Sequence, residues 1–137
     1  MSRSPAVPGG TLVRDSEGLA KAALPDRTVT AWLALARTDD LRVITSAATL
    51  VEVVHPQINR PALEGALPRL VVEPVTEPIG RHAAALLADA GLHGHKYAID
   101  AMLSATALAA PGPATILTSA PEDVTMLCGG RATVIKI

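Results

Sequence analysis

The sequence has no phenylalanine, one tryptophan, one tyrosine and one cysteine among its 137 residues. With Trp32 and Tyr97 as the only aromatic rings, a row of platforms on which successive bases of a single strand could stack is excluded. Any nucleic acid has to be held through its phosphates and its shape. The lone Cys128 excludes an internal disulfide, and no CxxC pair is present, which suits a reducing compartment; its ordinary reading is a small, buried or half-buried thiol. An excess of one charge is also lacking. Twelve Lys plus Arg against thirteen Asp plus Glu leave a formal charge of -1, so no overall attraction draws the chain to RNA, DNA or an anionic membrane. The longest uncharged run, Ala101 to Pro121, is broken by Pro111, Gly112 and Pro113 and reads as helix, turn and strand, not as a membrane span. Residues 1–10, MSRSPAVPGG, have no apolar stretch of signal-peptide length and read as a flexible lead-in. A cytoplasmic location without membrane contact is expected.

What the chain does have is an aliphatic majority: hydrophobic residues make up 49% of it, mostly Ala, Val and Leu. A chain of this length buries roughly two thirds of its unfolded surface in one core, so residues 11–137 are expected to form a single domain. Apolar β-type runs alternate with helical patterns, the signature of an α/β fold with a mainly parallel sheet. Strands are expected at Thr11–Val13, Leu41–Thr45, 70–75, Ala114–Thr118 and 132–137. Between them, helical patterns run over 16–24, 28–37, 46–54 with Thr45 or Ser46 as N-cap, 60–67 with Pro61 near its first turn, 77–92 and 121–127. In the 77–92 segment Ile79, Ala83, Leu86, Leu87 and Ala90 recur at helical spacing, and Gly91 is its stop signal. A further helix, containing Asp100, follows the loop His93-Gly94-His95.

Against this apolar background three acids stand alone. Asp100 is the only charged side chain between Tyr97 and Pro121, Glu52 the only one from Val43 to Val54, and Asp15 closes the first strand. Each has a plain structural reading: Asp15 as a helix cap, Glu52 and Asp100 as members of narrow exposed stripes, Asp100 beside Ser104. The alternative is that the three converge. Mutual repulsion then raises their pKa values unless a multivalent cation sits among them, and an all-oxygen set points to Mg2+ or Mn2+ over zinc. Mg2+ accepts few carboxylates and keeps several waters, leaving positions for a phosphodiester and an attacking water. Metal-assisted phosphodiester hydrolysis is the chemistry this suggests.

Four segments carry a family resemblance. LVRDSEGL, ITSAATLVEVV, YAIDAMLSATAL and ILTSAPEDV resemble, in order and rough spacing, the four motifs of PIN-domain proteins of the VapC-like, actinobacterial type, and the match covers nearly the whole chain after Gly10. The resemblance implies a three-layer α/β/α sandwich with a five-stranded, mainly parallel sheet of order 3-2-1-4-5. It also implies acids gathered at the carboxyl ends of the strands and a toxin-type endoribonuclease that leaves a 5'-phosphate and a 3'-hydroxyl. Asp15, Glu52 and Asp100 then hold Mg2+ or Mn2+ and act on RNA, and the partners implied are a second copy of the chain and a small antitoxin. Two positions depart from the pattern. Ala120 stands where relatives usually carry an acid, and Arg14 where an apolar residue is common; Arg14 is left either to reach an acid at the sheet end or to contact a phosphate. Glu122 and Asp123 have two readings, as stand-ins for the missing acid or as first-turn carboxylates stabilised by the helix dipole.

Ser16 and Ser119 flank the expected site, as donors to a carboxylate or as plain turn residues. Arg14, Lys96 and Arg81 are the candidates for RNA backbone contact. His55, His82, His93 and His95 include one H-x-H pair, which needs more ligands than the sequence displays to hold zinc. No P-loop and no G-x-S-x-G elbow occurs. Two other functional classes stand beside the nuclease: a degenerate PIN-like module that binds RNA or an antitoxin without cutting, and a phosphoacceptor receiver domain. The receiver reading requires an aspartate at the end of the third strand, where LVVEPVTEP offers only glutamates.

Overall fold

Residues 10–16, 27–53, 60–67 and 70–137 are described in the computed structural model. The lead-in before Gly10 lies outside them, as do His55 and, apart from Ser16, the helix expected over 16–24. The apolar runs form β1 (Thr11–Arg14), β2 (Arg42–Ser46), β3 (Val71–Glu73), β4 (Ala114–Thr118) and β5 (Thr133–Lys136). Every pairing is parallel and the order is β3-β2-β1-β4-β5. The helices among the described residues are α1 (Arg27–Thr38), α2 (Ala47–Val53), α3 (Arg60–Ala66), α4 (Glu77–Ala90), α5 (Gly94–Ala109) and α6 (Pro121–Cys128). Boundaries shift by a residue or two from the sequence expectations. The largest differences are at β3, which stops before Pro74, a residue with no N–H for a ladder, and at α5, which starts at Gly94 and so takes in His95.

Leu12, Val13, Ile44, Ile116 and Leu117 have no exposed surface, as expected of parallel strands covered on both faces. Successive strand residues point to opposite faces, and the two faces meet different helices. Val13, Ile44 and Ile116 pack with Leu103 and Ala107 of α5 and with Val124 and Cys128 of α6. Leu12 and Leu117 pack with Ala36 of α1 and, at the edge of that cluster, with Trp32 and Leu33. Three layers result.

Alanine lets α5 be enclosed on two sides. Leu103 and Ala107 meet the sheet, while Ala101 and Ala105 meet Ala83 and Leu86 of α4 and Leu127 of α6. Thr76 caps α4 through its hydroxyl, 3.4 Å from the Ile79 N–H, and Gly91 ends it in the left-handed conformation. None of the helices described is long and apolar enough to cross a membrane.

β1 is pinned at its start. Gly10 has φ +70°, and a Cβ there would lie 2.0 Å from the Pro113 carbonyl oxygen, the same oxygen that accepts the Thr11 N–H at 2.8 Å. Gly10, counted with the lead-in by sequence, is thus part of the packed structure. From β1 the chain builds β2 and β3 to one side and returns to build β4 and β5 on the other. Such a reversal opens a crevice at the carboxyl ends of the two strands that flank it, here β1 and β4.

Candidate functional site

Asp15 follows β1 at this crevice and is 5% exposed. Its N–H donates to the Leu117 carbonyl at 3.2 Å, and its Oδ2 accepts the Ser119 N–H at 3.1 Å. The carboxylate is thereby held against the turn that leaves β4. Thr118, fully buried, shapes that turn by accepting the Ala120 N–H on its hydroxyl at 2.9 Å. Ala120 is the N-cap of α6 and has no side-chain oxygen to cap with.

Glu52 is carried by α2, whose position is set by buried hydroxyls. The Thr45 hydroxyl donates to the Arg14 carbonyl, Thr49 donates to the Ser46 carbonyl at 2.7 Å, and the two threonine oxygens lie 2.6 Å apart. Two hydroxyl protons serve three contacts, which ties the end of β1 to the first turn of α2. Thr49 and Val53 face inward. Glu52 is exposed, and its Oε1 accepts the Ser16 hydroxyl at 2.7 Å.

Asp100 is placed by helical periodicity. It shares a face with Leu103, Ser104 and Ala107, all buried, so it is where the sheet-facing side of α5 emerges at the strand ends. Burial, then the charges of Glu52, Asp123 and Asp15, push its pKa up to about 6 from an ordinary 3.8. The exposed stripe considered for Asp100 and Ser104 is therefore overturned, because Ser104 is fully buried. Glu52 is exposed beside Val51, yet its charge still acts on Asp100.

The remaining candidates divide. Asp123 is half-buried in the first turn of α6 and acts on Asp100, whereas Glu122 and Ser119 are exposed. Arg14 is 2% exposed and burial lowers its pKa to about 10. An enclosed guanidinium does not present itself to a phosphate backbone, which corrects the RNA-contact expectation for Arg14. Arg81 is exposed and lies 2.7 Å from Glu77 one turn earlier. Lys96 is exposed, its Nζ 5.2 Å from the centre of the Tyr97 ring, and that ring meets His93 edge-on. Burial also pushes the Cys128 thiol up.

Sequence reasoning passed over Thr49 and Thr118, and gave Thr45 only the role of a possible helix cap. A recognisable signal was there: threonines inside otherwise apolar runs at element ends, where a buried hydroxyl must find a backbone partner. Among the described residues no three His, Cys, Asp or Glu side chains lie close enough together to hold one ion as they stand. The donor chemistry fits a hard divalent cation, since the acids acting on Asp100 bring only oxygen. The individual carboxylates are turned toward the Ser119 N–H and the Ser16 hydroxyl.

No protein-family model matches the sequence, and no curated protein matches it. Solved structures do. FitAB bound to an IR36 DNA fragment shares 20% identity over 92% of this chain and 94% of its own, with a TM-score of 0.63. FitAcB from Neisseria gonorrhoeae shares 22% over 91% and 96%, at 0.65. VapBC2 from Rickettsia felis, bound to a DNA fragment from their promoter, shares 14% over 93% and 98%, at 0.66. At these identities the likeness is one of fold, it spans nearly the full length of both chains, and the fold is the one that the four motifs imply.

Proposed function

We propose that this chain, a VapC-like PIN fold, is a metal-dependent endoribonuclease of toxin-antitoxin type, with Asp15, Glu52 and Asp100 as its Mg2+ or Mn2+ ligands and catalytic acids. The observation that carries the reading is the environment of Asp100, whose pKa is raised by burial and by three further carboxylates from β1, α2 and α6. Like charges that act on a half-buried carboxylate cost stability when nothing positive is present, and such perturbed acids are candidates for functional sites. A divalent ion supplies charge for the phosphodiester oxygens and makes a nucleophile of water near neutral pH. The chain's own part is placement. Ser119 fixes one oxygen of Asp15, Ser16 fixes one of Glu52, and α5 carries Asp100 within range of the charges of both.

The partners follow from the same reading: RNA as substrate, a second copy of the chain, and an antitoxin with a basic group for the acidic crevice, all in the cytoplasm. FitAB, FitAcB and VapBC2 are two-component names, which supports a partner protein. A second reading, a module that binds RNA or an antitoxin without cleavage, is favoured by one observation, the methyl group of Ala120 at the position where the motif calls for an acid.

Purified protein, Mn2+ and a structured RNA separate the two. Cleavage that disappears in Asp100→Asn supports the enzyme. Cleavage that appears only in Ala120→Asp shows an impaired enzyme, and none in either protein leaves the binding module.

A further inference from the structure

We infer that Ser16 is the positioning residue for Glu52, its hydroxyl fixing the α2 carboxylate against the end of β1 so that Glu52 and Asp15 address one divalent ion together. The inference rests on the reading of Asp15, Glu52 and Asp100 as metal ligands. Its ground is the 2.7 Å hydrogen bond from Ser16 Oγ to Glu52 Oε1, which joins residues 36 apart in sequence. Glu52 needs such a contact. It is exposed, on a helix side where the adjacent Val51 is 75% exposed, and the threonine network that locates α2 fixes its backbone, not this side chain.

The neighbouring residue is tied the other way. Asp15 accepts the Ser119 N–H that leaves β4, so two consecutive residues at the end of β1 join it to the elements on either side. A serine hydroxyl donates one proton and occupies one carboxylate oxygen, which leaves Oε2 for a cation. Holding the carboxylate in place before the ion arrives moves the ordering cost from binding to folding and so raises affinity. Outer-shell donors of this kind change metal affinity by about 10- to 100-fold when removed.

Calorimetric titration of the full chain with MnCl2 tests this, using wild type, Ser16→Ala, Ser16→Thr, Ser16→Val and Asp100→Asn. The expected result is Mn2+ affinity about ten-fold weaker in Ser16→Ala and Ser16→Val and close to wild type in Ser16→Thr, which keeps the hydroxyl. The Thr and Val variants have the same shape, so a purely structural role would move them alike, and they preserve the comparison should Ser16→Ala fail to fold. Equal affinity of the Thr and Val variants, or wild-type affinity in Ser16→Ala, overturns the inference. If wild type binds and Asp100→Asn does not, while Ser16→Ala is unaffected, the metal site stands and Ser16 alone is excluded from it. If wild type binds no Mn2+, both readings fall.

Discussion

Asp100 titrates near 3.8 as an ordinary aspartate and near 6 in the folded chain, so between those values the folded state holds the proton more tightly. The sign follows: the contribution of this group to stability is fully present below 3.8, falls as pH rises toward 6, and is flat above. Without divalent ions, the melting temperature should drop between about pH 4 and about pH 6.5, and Asp100→Asn should flatten that part of the profile. An unchanged profile in the variant would place the titration elsewhere. That Asp15, Glu52 and Asp100 stand apart from their surroundings was legible in the sequence, because a lone acid in an apolar run is a local signal. The exposure of Glu52 and the burial of Arg14 were not, since strand alternation and helix phase say which side a residue takes but not what covers it. Asp123 belongs here too. Its part in raising the pKa of Asp100 depends on where α6 lies against α5, which no spacing within ILTSAPEDV reveals.

At the scale of elements, Gly10 and the β1–β4 register do the placing. The site depends on β1 ending beside β4, and that register begins where the Thr11 N–H meets the Pro113 carbonyl. Gly10→Ala puts a methyl group 2.0 Å from the same oxygen at a positive φ. The expected loss is on the order of 2 kcal/mol or more, read as a lower urea midpoint, whereas Gly91→Ala, with open space around its Cβ, meets only the conformational penalty. Elements themselves were largely legible: Ile79, Ala83, Leu86, Leu87 and Ala90 all pack inward as their spacing requires. Strand ends were less so. β2 runs one residue further than expected, to Ser46, which pairs with Glu73 of β3 and also caps α2 as the sequence suggests, its hydroxyl accepting the Ala48 N–H at 3.2 Å.

For the whole molecule, an ion bound between β1, α2 and α5 would join segments that are far apart in sequence, and anything that binds only the folded state stabilises it. Mn2+ at about 100 times its dissociation constant should add about 2.7 kcal/mol, seen as a higher melting temperature at about pH 7 that shrinks near pH 5 as Asp100 takes up a proton, and is absent in Asp100→Asn. A melting temperature indifferent to Mn2+ would count against the metal site. The sequence alone determined the class of fold, since alternating apolar runs with two periodicities admit few arrangements other than helices packed on a parallel sheet. It also singled out the acids. Tertiary structure decided which donors hold each carboxylate and that the proton affinity of Asp100 rises. Those outcomes depend on burial and on through-space charge, and both arise only when segments remote in the chain are packed together.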